Sequence, residues 1–115
     1  VSLLVRTVPI NVAADGTDLT TVRLGPCVLR MIRVELGTLS TPDITITEQP
    51  NNKTILGVSA LATDKDYLPT ILGAGSNGAD VAGAALPAPI LGRLQIAIAG
   101  AGVSTSGEIT LFYEH

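Results

Sequence analysis

Gly73, Gly75 and Gly78 stand at the spacing G-x-G-x-x-G within LGAGSNGADVAG, residues 72 to 83. In a dinucleotide-binding unit this spacing turns a strand tightly into a helix whose N-terminus meets a pyrophosphate, and an acidic residue about 20 positions on holds the ribose. The surrounding residues do not supply those parts. Upstream, Asp66-Tyr67-Leu68-Pro69-Thr70-Ile71 contains a proline that cannot donate to a sheet ladder; downstream, ADVAGAAL runs into Pro87-Ala88-Pro89 and leaves room for a helix of about two turns. At the ribose position lies Gln95-Ile96-Ala97-Ile98-Ala99, which has no carboxylate. The glycines are therefore expected to let an apolar arm turn and approach other backbones, and no cofactor is expected.

The remaining reactive side chains are few. His115 is the only histidine and stands last, so a His-centred triad has no plausible middle member. Cys27 is the only cysteine, which excludes an internal disulfide and any multi-cysteine zinc site. It reads as a small buried hydrophobe at the start of a strand, with Arg30 pointing to the opposite face. Asp64 and Asp66 flank Lys65 without the further oxygen ligands and glycine of a calcium loop, and read as solvated loop charges. The other carboxylates are dispersed, no metal site is expected, and the chain is expected not to be an enzyme. Asn52-Lys53-Thr54 has the form of a glycosylation sequon and reads as part of a hairpin turn.

Composition bounds the partners. At 115 residues the chain is expected to form a single domain, 1–115, able to remove about two thirds of its unfolded surface from water. Charged residues make up only 15%, against about 25% in ordinary globular proteins, so part of the surface is expected to meet protein. The net charge is −3 and Arg6, Arg23, Arg30, Arg33 and Arg93 are scattered along the chain, so no nucleic acid partner is expected. No apolar run approaches the roughly 18 residues of a membrane span, and Arg6 interrupts VSLLVRTVPI, so neither a span nor a signal peptide is expected.

The elements that must position these groups have a period of two. Val28, Arg30, Ile32, Val34 and Leu36 alternate with Leu29, Met31, Arg33 and Glu35; Ile44 and Ile46 alternate with Thr45 and Thr47; Leu94, Ile96 and Ile98 with Gln95, Ala97 and Ala99; Ile109, Leu111 and Tyr113 with Thr110, Phe112 and Glu114. Turn residues separate them, giving seven to eight short strands. DITITE and KTILGVS around Gln49-Pro50-Asn51-Asn52 predict a hairpin, as do GRLQIAIA and GEITLFYEH around a Gly/Ser/Thr turn. The fold class expected is all-β, a single antiparallel β-sandwich or jelly roll. With no Trp and 3% aromatics, its core must be built from Ile, Val and Leu, unlike an immunoglobulin domain. Between about 62 and 90 the rhythm fails, and one long Gly/Ala-rich loop is expected, laid against protein because Ile71, Leu72, Val81, Leu86 and Ile90 are too apolar for a free tether.

The order RMIRVELGTLSTPDITITE, KTILGV, TDKDYLPT, the Gly/Ala segment, ALPAPILGRLQIAIAGAG and SGEITLFYEH resembles small β proteins of tailed-bacteriophage virions, over roughly residues 28 to 114. The strand DITIT, the step from Tyr67 to Pro69 and the P-x-x-G-R-L-x-I-x-I segment from Pro89 to Ile98 carry the resemblance. It implies a capsid decoration or minor head protein located in the virion, with the major capsid protein or other virion proteins as partners and self-association, a trimer by preference. On that implication Tyr67, Leu68, Pro69, Ile71, Leu72, Val81, Leu86, Pro87 and Ile90 make apolar contacts to capsid subunits or sister protomers, and Arg93 is a charged anchor. A tail or head-tail connector component shares these features; a glycan-binding module would need more aromatic platforms. Whether VSLLVRTVPI pairs within its own sheet or with a neighbour is open at this level.

Overall fold

A computed structural model of the chain describes residues 3–49, 52–74 and 80–115, with the backbone alone described over 70–74 and 80–88. The strands are β1 (Leu3–Asn11), β2 (Asp18–Arg23), β3 (Cys27–Glu35), β4 (Asp43–Gln49), β5 (Lys53–Val58), β6 (Lys65–Tyr67), β7 (Thr70–Ala74), β8 (Asp80–Ile90), β9 (Arg93–Ala99) and β10 (Ser106–Glu114). The fold is all-β, antiparallel throughout, in two sheets. Sheet one has the order β1-β10-β3-β8-β7, with β6 also on β3; sheet two has the order β2-β9-β4-β5. No helix among the described residues is long and apolar enough to cross a membrane.

The pairings are nested. β1 pairs β10, β2 pairs β9, β3 pairs β8, and β4 pairs β5. The chain thus follows the path of one long hairpin with its tip near β4–β5. That hairpin is curled so that β10 also meets β3 and β9 also meets β4. Within the single chain, β1 pairs β10 at the edge of sheet one.

One aliphatic core joins the sheets. Ile10, Leu29, Ile32, Val34, Ile109 and Leu111 come from sheet one, and Val22, Ile44, Ile46, Leu94, Ile96 and Ile98 from sheet two; all are buried, while Tyr67 and Tyr113 pack against the margin. Alternation produces most of this directly, because a regular strand such as β4 or β9 sends every second side chain inward.

Three sequence expectations need correction. First, alternation in β3 is not continuous: Phe112 lies opposite Met31 but Tyr113 lies opposite Leu29, so the register passes over Arg30. This bulge switches the inward phase from Cys27 and Leu29 to Ile32 and Val34, placing Leu29 in the core and Val28 and Arg30 outside it. Second, β4 and β5 form the expected hairpin, but β9 and β10 belong to different sheets. The segment between them crosses the core margin. Gly100 (φ 64) and Gly102 (φ 87) turn it, Ala101 is buried, and Thr105 accepts from the Val12 N–H at 2.9 Å. Third, the region expected as a long loop contains β6, β7 and β8, so the strands among the described residues number ten rather than seven or eight. β8 pairs β3 only over Ala88–Ile90 and otherwise pairs β7, through Ile71 with Leu86 and Thr70 with Pro87. It is a two-stranded arm continuing from sheet one.

Candidate functional site

Two charged clefts lie at opposite ends of the strands. At one end, Arg23 closes β2, Arg93 opens β9 and Gln49 closes β4; Arg93 is the cross-strand partner of both Arg23 and Gln49. Their neighbours Val22, Leu94 and Glu48 are buried, so the three share the outer face of sheet two. The Leu24 and Gly25 N–H groups both donate to the Gly92 carbonyl, at 3.0 and 2.9 Å, and draw the two turns together. Gly25 takes a left-handed conformation (φ 71), and a Cβ on Gly92 would meet nothing nearer than the Gln49 carbonyl at 3.8 Å, so the floor of the cleft is backbone. The resulting cleft of ≈ 340 Å³ is lined by Arg23, Gly25, Gln49, Gly92 and Arg93. Arg6 joins this end, its Nη1 donating to the Arg23 carbonyl at 3.0 Å. Gln49 is held by its Nε2, which donates to Thr47 Oγ1 at 3.3 Å and to Asn52 Oδ1 at 3.1 Å.

At the other end, on the outer face of sheet one, Glu35 of β3 lies directly opposite Glu108 of β10. These two carboxylates, Asp64, Asn11, Gly37 and Gly107 line a cleft of ≈ 550 Å³. Asp64 is fixed by the Leu36 N–H, which donates to its Oδ1 at 2.8 Å. Arg33, Lys65 and Asp66 stand beside Glu35 and Asp64 along an adjoining groove. Arg33 Nε donates to Asp66 Oδ1 at 2.9 Å, and this bond, with the charge of Asp66 and then of Glu35, holds the guanidinium above its ordinary pKa. Asp64 and Asp66, expected as solvated loop charges, are exposed and also tie the segment around β6 to β3. Among the described residues no group of His, Cys, Asp and Glu side chains is arranged to hold a metal ion.

The distribution of ion pairs separates the arginines. Arg30 pairs with Glu114 at 2.9 Å and Arg33 with Asp66 at 2.9 Å. Arg6, Arg23 and Arg93 form no ion pair among the described residues. The sequence singled out Arg93 as an anchor but missed Arg23, whose relation to it arises from strand pairing between distant parts of the chain.

The apolar interface candidates divide by position. Leu68 is 74% exposed. Tyr67 is half-buried against the core, and burial pushes its phenol upward in pKa. Pro69 is buried and Ile90 is 1% exposed, so within the single chain both belong to its own interior and not to a free contact surface. Ile71 and Leu72 lie on β7, and Val81, Leu86 and Pro87 on β8; their side chains are outside the described residues. Exposed apolar side chains that sequence did not single out include Leu3 and Val5 on β1, Leu19, Leu91 and Val103; Val5 lies opposite Phe112, which lies opposite Met31.

The segment around the three glycines joins antiparallel β7 and β8, with no helix after it among the described residues, so the strand-to-helix setting of a dinucleotide site is not formed there. Gly73 is in β7; Gly75 and Gly78 lie outside the described residues. Cys27 is buried, and burial pushes its thiol upward in pKa, away from the reactive thiolate. His115 Nδ1 lies 2.9 Å from the Pro26 carbonyl, and its ring meets Tyr113 edge-on. Comparison with protein-family models and with curated proteins finds no match.

Proposed function

We propose that this chain is a non-enzymatic structural protein of a tailed-phage virion, a capsid decoration protein that docks on the lattice of the major capsid protein and associates with copies of itself. The observation that carries the reading is the strand order. Nested antiparallel pairs divided between β1-β10-β3-β8 and β2-β9-β4-β5 follow the path of a jelly roll, an architecture recurrent in viral capsid and lectin domains. The sequence pieces that resemble phage virion proteins fall on β3 to β6, the end of β8, β9 and β10, within that frame. Fold analogy alone does not assign function, so the site matters. Its parts suit docking: a two-stranded arm, the exposed Leu68 beside it, Leu3 and Val5 on an edge strand, and charged clefts at both ends.

The test mixes the purified protein with phage heads lacking it, pellets the particles and counts bound copies by quantitative gel. Binding at a stoichiometry commensurate with the lattice, weakened by deletion of residues 71–88, is the expected result. Absence from heads, with a ring or a few copies at the neck or tail, overturns decoration in favour of a tail or connector component.

A further inference from the structure

We infer that the basic cleft of one copy receives the acidic cleft of another, so that the protein associates head to tail through Arg23 and Arg93 on one side and Glu35 and Glu108 on the other. Two arrangements in this fold are unfavourable in a single chain. Like charges directly opposite each other on paired strands repel. This fold has Arg23 opposite Arg93 on sheet two, and Glu35 opposite Glu108 on sheet one. Each pair lines a cleft, and the signs are opposite.

Their placement makes them complementary between copies and not within one. Arg23 ends β2 and Arg93 begins β9, whereas Glu35 ends β3 and Glu108 lies near the start of β10, at the other end of the strands and on the other sheet. Other charges reinforce each side. Arg6 reaches the Arg23 backbone, and Glu48, the acidic residue beside Gln49, is buried with 3% exposure. On the acidic side Asp64 adds a carboxylate, while Arg33 is engaged by Asp66 and Lys65 stands alongside. A second copy docked in this way places carboxylates between two guanidiniums that lack an ion pair among the described residues, relieving both repulsions at once. The two surfaces do not overlap, so one copy uses both. Such an interface is heterologous, and it closes into a ring or continues as a filament according to its rotation angle.

This deepens the self-association part of the proposed function and rests on it. The experiment uses the purified full chain without heads, so its outcome is read separately from capsid docking. Sedimentation velocity across a concentration series is expected to show association at about 0.01 M salt, where the screening length is about 30 Å, and its loss at about 1 M, where it is about 3 Å. Arg23→Glu with Arg93→Glu, and separately Glu35→Lys with Glu108→Lys, should each weaken self-association at least about tenfold. An equimolar mixture of the two double variants should restore it, while Lys53→Gln, at an exposed cation outside both clefts, leaves it unchanged. Far-ultraviolet circular dichroism confirms that each variant keeps the β fold. A wild type that associates but is indifferent to these variants overturns the interface and leaves self-association standing. A wild type that stays monomeric at low salt, or double variants that fail to complement, also overturns it.

Discussion

Arg30 and Glu114 meet where the ladder between β3 and β10 loses step. Arg30 is the residue the register passes over, and its Nε and Nη2 reach Glu114 Oε2 at 3.1 and 2.9 Å. The pair is partly exposed, so it is worth at most about 1 kcal/mol. The bulge matters more for phase than for charge. Deleting Arg30 is expected to leave a regular strand that still sends Leu29 and Ile32 inward, and the variant should unfold cooperatively. Deleting Arg33 throws Val34 and Leu36 to the outer face and is expected to abolish the folded state. Urea denaturation of the two deletion variants, side by side, checks this.

The core contains no aromatic anchor, so its cohesion comes from aliphatic contacts across the sheets. Ile46 and Ile96 are cross-strand partners, both 0% exposed. Ile96→Ala is expected to cost about 2–5 kcal/mol, through lost transfer energy and the cavity left behind. Chemical denaturation gives the value; a loss under about 1 kcal/mol would contradict this burial.

Gly107 is set by contact and not by backbone angle. A Cβ there would lie 2.7 Å from the Glu35 carbonyl oxygen and 2.8 Å from that of Leu36. Both are backbone atoms of the strand and turn against which β10 begins. Gly107→Ala is therefore expected to cost at least about 2 kcal/mol, in the range of overpacked sites, whereas Gly57→Ala, with no atom within 4 Å of its Cβ, is expected to be tolerated. Thermal melts of the two variants provide the comparison.

Asp15 and Cys27 bracket the pH range. The Thr17 N–H donates to the Asp15 carboxylate at 3.0 Å and the Thr17 hydroxyl at 2.9 Å, and in that order of effect they hold its pKa below the ordinary value. The contribution is complete above the unfolded pKa of about 3.9 and is lost as pH falls through the lower folded value. Asp15→Asn should flatten the stability profile in that acidic window, measured as the urea midpoint against pH. Cys27 acts at the alkaline end. Burial raises its folded pKa, so stability declines as pH rises above the unfolded value of about 8.5 and the unfolded thiol ionises. Thiol labelling should be slow in the native protein and fast in denaturant.

What could be read from sequence was local. Ile44, Ile46, Ile96 and Ile98 alternate with small or polar residues and declare their inward faces, and the turn around Asn52 declares the β4–β5 hairpin. The Gly100–Thr105 segment is also rich in turn-forming residues, yet it crosses between sheets; turn propensity does not distinguish the two paths. Arg30 as a bulge is invisible because Val28, Arg30 and Ile32 satisfy simple alternation. Arg93 was identifiable as a charge at the start of an apolar strand. Its opposition to Arg23, and that of Glu35 to Glu108, exist only once four strands have been paired, so neither cleft could be found by spacing along the chain.

The nested pairing also constrains when each strand can find its partner. β1 emerges first from a ribosome but must wait for β10, a delay on the order of ten seconds at roughly 5–20 residues per second. During that interval LLVRTVPIN is an unpaired strand with exposed Leu3 and Val5, a template for pairing with other nascent chains. Pro9 lies within it and has no N–H to donate. The waiting strand thus carries its own obstacle to a stranger's ladder while leaving Leu3 to Val8 able to zip onto β10 once that strand is made.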